Sequence, residues 1–420
     1  MNDIKITALA NGVRIVTDEM PAVESVSVGA WVRAGARFET DEFNGVAHLL
    51  EHMMFKGTPR RTALQIAEAI EDVGGHINAY TAREVTAYYA KVLKEDAALA
   101  VDVIADILQN SLFDEDELSR ERSVVLQEIG QAYDTPDDVV FDHFQSTAFP
   151  DQPLGRPVLG RPDIVGQMPR DAVVGFHGRH YHGGSIVLAA AGNMPHAALV
   201  ALAETHLSHL VAGEAEPLSP ARYAGGERRE TRELEQVHFV LGFQGAPVGS
   251  DDYYALSVLS NLFGGGMSSR LFQEIRERRG LVYSIDTFLS AFSDNGVFGI
   301  YAGTDPDLIE ELVPALCGEI AGLAGSLREE EIARARTQLK SNLLMGMEST
   351  GARAERVGQQ MLLYDRVVSV DELVEKIENV TRESLAGLAQ RVFATQPSLA
   401  TVGPETAMES FDTISRRLAA

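Results

Sequence analysis

The chain has 420 residues, about three times a typical single domain, so two or more folding units are expected. It is 45% hydrophobic and 23% charged, which excludes a disordered, collagen-like or disulfide-stapled chain. With 36 Lys plus Arg against 61 Asp plus Glu the formal charge is −25, which disfavours nucleic acid and anionic lipid and favours basic partners.

Residues 2–17 alternate polar and apolar without a continuous apolar run, so no signal peptide is expected at Met1. No stretch reaches about 18 apolar residues, so no membrane span and a cytoplasmic location are expected. A strand-like run at 25–33 leads into helical patterns at 46–54 and 64–73, the second closed by Gly74-Gly75. Strand-like runs at 77–81 and 86–93 follow, then long helical patterns at 97–110 and 115–133. After a helical pattern at 197–210, residues 211–226 carry Pro217, Pro220 and Gly225-Gly226 and read as a linker.

The order then repeats: strand-like 237–243, helix 254–262, a glycine turn at 264–266, helix 270–279, strands 282–289 and 297–302, helices 308–324 and 330–344. Leu118-Ser119-Arg120 and Arg122 echo Ile332-Ala333-Arg334 and Arg336 at a constant offset of 214. A duplicated α+β fold is expected, two sandwiches each with helices on one face of a sheet, divided as residues 1–210, a linker 211–226, and 227–420. The lone Cys317 offers neither a disulfide nor a thiolate cluster.

The local signal that carries chemistry is His48-Leu49-Leu50-Glu51-His52. Positions i and i+4 lie one helical turn apart on one face, so His48 and His52 can reach one ion, and neutral imidazole suits zinc. Glu51 lies one residue out of register with that pair, the placement of a base beside a metal rather than of a ligand. Two histidines at this spacing also occur on ordinary helices, so a third ligand decides. Glu121 and Glu128 are candidates, two turns apart and flanked by the apolar Val124-Val125-Leu126. The bland reading is an acidic solvated stripe, since the acids 114–117 open that helix where its dipole favours them, and only Glu121 and Glu128 escape that explanation.

Four stretches together resemble the pitrilysin, or inverzincin, family of zinc peptidases, which includes the β subunit of the mitochondrial processing peptidase: HLLEHMMFKGT at 48–58, GGHINAYTAREVT at 74–86, ERSVVLQE at 121–128 and GGGMSSRLFQEIRERRGLVYS at 264–284. The 76 residues from His52 to Glu128 are similar to that family's spacing between its second histidine and its glutamate ligand. The resemblance implies mainly antiparallel sheets in two homologous halves around a substrate cavity. It implies that His48, His52 and Glu128 hold zinc, that Glu51 activates water, and that Glu121 orients a histidine.

It further implies that peptide adds as a strand near Asn78 and Ala79, that Arg276 and Tyr283 meet the substrate, and that Asp138 and Asp142 accept a substrate arginine. By themselves Asn78 also reads as a turn residue, Arg276 as part of a solvated charged face, and Asp138 as a first-turn acid after Thr135-Pro136. At the offset of 214 Glu121 and Glu128 fall on Ala335 and Asn342, and at an offset of 210 His48, Glu51 and His52 fall on Val258, Asn261 and Leu262, so one Zn2+ per chain is expected.

Gly264-Gly265-Gly266 lacks the residues of a phosphate loop and reads as a helix–helix turn, similar to a shortened glycine-rich loop of the processing peptidase α subunit. His177, His180 and His182 read as a helix end and strand entry. The function expected is a zinc metalloendopeptidase acting on extended or unfolded peptides, with a preference for basic residues near the cut, as a homodimer or paired with an inactive homologous subunit. The alternatives are a non-catalytic scaffold subunit and an enzyme devoted to one modified peptide.

Overall fold

The computed structural model describes residues 4–419, whose contacts divide them into two units. The first comprises the residues up to Gly130, Arg156–Ser219 and Met345–Val368; the second comprises Gln131–Gly155, Pro220–Leu344 and the residues from Ser369 onward.

The first unit is built on six strands: β1 (Ile4–Ala8), β2 (Arg14–Glu19), β3 (Ser25–Val32), β4 (His76–Thr81), β5 (Thr86–Leu93) and β6 (Ile186–Gly192), in the spatial order β1-β2-β6-β3-β5-β4. The β2–β6 pair is parallel and the others are antiparallel. Two-residue alternation in β5 sends Tyr88, Ala90 and Val92 to one face and Ala87 and Tyr89 to the other. The first face meets the helices α1 (Val46–Met54), α2 (Ala63–Glu71), α3 (Ala97–Asn110) and α4 (Glu115–Tyr133) in the larger core. Gly74, in left-handed backbone at φ +69, ends the α2 segment, as its neighbour Gly75 packs where a Cβ would stand 2.7 Å from Val92.

The opposite face of this sheet is covered as well, which corrects the expectation of helices on one side. There Val16, Trp31, Val187, Ala189 and Ala191 meet Ala354, Val357 and Met361 of the helix Thr350–Tyr364. Arg353 reaches the buried Asp18 at 2.9 Å, and Arg14 donates to the Met361 carbonyl at 3.0 Å near that helix's end.

The second unit repeats the plan with β7 (Gly226–Thr231), β8 (Val237–Gln244), β9 (Ser284–Ala291), β10 (Gly296–Thr304) and β11 (Ser398–Gly403) in the order β7-β11-β8-β10-β9. Again one pair, β7–β11, is parallel and the rest antiparallel, so the sheet matches the first without β1. The helix α5 (Pro136–Ala148) packs Val140, Phe144 and Ala148 against Val240, Ala400 and Val402 on one face. The other face meets helices that include Asp251–Gly264, Ile309–Ser326 and Arg382–Phe393.

The duplicated segments starting at 136 and 350, again 214 apart, are therefore exchanged: each copy contributes this helix to the other copy's unit. The spatial division differs accordingly from residues 1–210 and 227–420, while 211–225 form neither helix nor strand. A second difference lies at 270–279, expected as an α-helix; Phe272–Arg278 is a π-helix, a rare winding that recurs at functional positions. No helix among the described residues is long and apolar enough to cross a membrane.

Candidate metal centre

The helix α1 buries Val46, Ala47, Leu49, Leu50, Met53 and Met54, and its i, i+3, i+4 stripe carries His48, Glu51 and His52. Gly45 precedes it with φ +97, and a Cβ there would stand 2.7 Å from Val165 and 2.9 Å from the Gly160 Cα. With no side chain at Gly45, the cap comes from Glu39, whose Oε2 accepts from the Gly45 N–H and Oε1 from the Ala47 N–H, both at 2.9 Å. Burial pushes the Glu39 carboxyl up to about 7, against the pull of these donors, of Asn44 and of Arg156.

From α4, Glu128 brings Oε2 to 3.6 Å from His48 Nε2 and 3.5 Å from His52 Nε2. Ligand atoms of the three residues all lie within 4.8 Å of one another. These separations are long for hydrogen bonds. They approach the roughly 3.4 Å edge of a tetrahedron with metal–ligand bonds of about 2.1 Å, so the donor set fits a zinc-like ion. Burial, with His52 alongside, holds the His48 pKa down to about 4, so near pH 7 its imidazole is in the neutral, ligating form.

The surroundings orient this set. His52 Nδ1 stands 3.0 Å from Glu121 Oε2, and Lys56 Nζ reaches Glu121 Oε1 at 2.7 Å. Glu121 thus contacts a histidine, whereas Glu128 faces both. The buried His48 Nδ1 has no hydrogen-bond partner among the described residues. Glu51 accepts from Thr81 Oγ1 at 2.6 Å, and burial raises its pKa despite that bond and the neighbouring His52. Thr81 and Lys56 lie inside the motif stretches of the sequence but carry no signal of their own; Glu39 lies outside those stretches.

Asn78 and Ala79 lie on β4, the edge strand of the first sheet, and Asn78 Oδ1 accepts from the Ala79 N–H at 2.8 Å. Arg276 and Tyr283 belong to the second unit. The π-helix sets the Arg276 guanidinium 4.5 Å from the Phe272 ring centroid and 6.0 Å from that of Tyr283, a side chain 76% exposed. Asp138 and Asp142 are exposed on α5, also in the second unit. The histidines at 177–182 serve separate partners, His177 the Leu108 carbonyl and His182 the Ser185 hydroxyl, both at 2.8 Å.

Family comparisons agree with the geometry. The family described as "Insulinase (Peptidase family M16)" matches residues 14–162, and "Peptidase M16 inactive domain" matches 167–339. A protein of Rickettsia felis named an uncharacterized zinc protease is 41% identical over 403 residues, covering 96% of this chain and 98% of its own. One of the same description from Bacillus subtilis is 37% identical over 408 residues, covering 97% and 100%. Among solved structures, a protease from Helicobacter pylori shares the fold with a TM-score of 0.89 at 21% identity, over 96% of this chain and 100% of that one. A chain of complex III2 from Candida albicans gives the same TM-score at 23% identity, over 99% of each. With two family descriptions spanning most of its length and relatives above 30% identity along nearly all of it, the chain belongs to the pitrilysin-like M16 peptidase family.

Proposed function

We propose that the protein is a zinc-dependent endopeptidase that hydrolyses peptide bonds in extended or unfolded peptides. The observation that carries this is the approach of His48 Nε2, His52 Nε2 and Glu128 Oε2, with Glu51 on the same helical stripe. His48, His52 and Glu128 would hold one Zn2+ per chain, which when bound would supply a Lewis acid for the scissile carbonyl and acidify water.

Glu51 is the base of this reading. Its burial and raised pKa suit a carboxylate that takes a proton from water and passes it to the leaving amine. Glu121 holds His52 by Nδ1, fixing the ring so that Nε2 faces Glu128. The unpaired edge of β4 at Asn78 and Ala79 would grip substrate by main-chain hydrogen bonds, which any extended peptide can supply. Tyr283 would donate to the developing oxyanion, with Arg276 beside it. The exposed Asp138 and Asp142 would give a preference for arginine, consistent with the overall charge of −25.

A second reading, a non-catalytic core subunit, is favoured by the likeness of fold to a complex III2 chain. Its partner would be a homologous subunit; in the enzyme reading an identical chain serves as well. One experiment separates the two: metal content and cleavage of an arginine-bearing peptide library by wild type and Glu51→Gln. The enzyme reading expects about one zinc in both proteins and cleavage only by wild type. A wild type that binds no metal and does not cut returns the scaffold reading, and a variant that cuts like wild type removes Glu51 from the role of base.

A further inference from the structure

We infer that Thr81 is a positioning residue for Glu51, so that the strand offered to the peptide also sets the aim of the carboxylate that would take the proton. This rests on the proposed role of Glu51 and adds a residue to it. β4 is an edge strand held from both faces by adjacent residues, since neighbouring side chains in a strand point to opposite sides. On one face the Tyr80 hydroxyl bonds to Glu355 of the helix Thr350–Tyr364, and Glu355 also accepts from Trp31 Nε1 at 3.1 Å and Gln359 Nε2 at 2.6 Å. On the other face Thr81 Oγ1 donates to Glu51 Oε2 at 2.6 Å.

The terminal torsion of a glutamate is broad, so burial alone leaves the plane of the Glu51 carboxylate loosely set. A single short hydrogen bond chooses that plane. It occupies Oε2 and leaves Oε1 to receive a proton. Thr81 is suited to this because its backbone is fixed at the last register pair of the β4–β5 hairpin, opposite Thr86, and its branched side chain has few χ1 choices. Asn78, Ala79 and Thr81 are parts of one short strand, so a peptide lying along β4 is placed relative to Glu51 through a single side chain.

The test compares wild type, Thr81→Val, Thr81→Ser and Glu51→Gln on a quenched-fluorescent, unstructured peptide carrying one arginine, with zinc content and melting temperature recorded for each. The inference expects Thr81→Val to lose about tenfold in kcat, with KM and zinc content unchanged, and Thr81→Ser to restore most of the loss. If Glu51→Gln is inactive while Thr81→Val keeps wild-type kcat, the inference fails and the enzyme reading stands. If Glu51→Gln cleaves like wild type, the inference fails together with the role of Glu51 as base. Where Thr81→Val melts early, Thr81→Ala against Thr81→Ser carries the comparison, and equal kcat in that pair overturns the inference.

Discussion

Glu121 Oε2 and His52 Nδ1 stand 3.0 Å apart on a carboxylate whose side chain is only 7% exposed, and the other oxygen of that carboxylate takes Lys56 at 2.7 Å. In the proposed site this contact would make Glu121 a support for the ring rather than a member of the set around Glu128. Glu121→Gln should weaken zinc affinity by about 10- to 100-fold, the usual effect of losing such a support. Lys56→Met should act in the same direction and more mildly. Competition with a chromophoric chelator measures both; wild-type affinity in Glu121→Gln would contradict the assignment.

Metal binding should register as stability. An ion that binds the folded chain adds about 2.7 kcal/mol at a hundredfold excess over its Kd. The melting temperature of chelator-treated protein should therefore climb with added zinc, whereas Glu128→Ala, lacking the residue that faces both imidazoles, should show a flat response. A zinc-dependent rise in Glu128→Ala as large as in wild type would show that the ion binds elsewhere.

Stability should also carry the titration of Glu39. Its carboxyl titrates at about 7 in the fold against an ordinary value of 4.5. The unfolded chain releases this proton at the lower pH and the folded chain keeps it. The stabilisation is thus complete below about 4.5 and is lost as pH rises through about 7, at up to about 1.4 kcal/mol per pH unit. Denaturant titrations of wild type and Glu39→Gln across that window should diverge in slope, the variant being flatter. Parallel curves would mean that the three N–H donors keep Glu39 ionised throughout.

Gly45→Ala should be costly. The residue sits at φ +97, and the added carbon would meet Val165 and the Gly160 Cα at under 3 Å. The expected loss is about 1–3 kcal/mol from the backbone alone, with weaker zinc binding because the first turn of α1 carries His48. A substitution that leaves both the melting temperature and the zinc affinity unchanged would contradict this.

Much of α1 was legible because its signal is local. The apolar periodicity and the spacing of His48, Glu51 and His52 depend only on helical geometry, and 46–54, 86–93, 97–110 and 115–133 were read at the bounds the structure shows. Glu128 was singled out by its apolar flank and by resemblance. Thr81 beside Glu51, Glu39 at the mouth of α1 and Lys56 on Glu121 were not legible, because a single polar contact between distant segments leaves no period in either.

The amino-acid order determined the duplication, the replacement of His48, Glu51, His52 and Glu128 by other residue types in the second copy and the face on which the two histidines stand, since each is written in spacing along one segment. Tertiary structure decided which sheet each duplicated helix joins. The segments at 136–148 and 350–364 hold corresponding places in the duplicated order, and the packing of each places it in the other copy's unit. Tertiary structure likewise brought Glu128 to the imidazoles, a separation that depends on how α4 lies against α1 and on no residue within either helix alone.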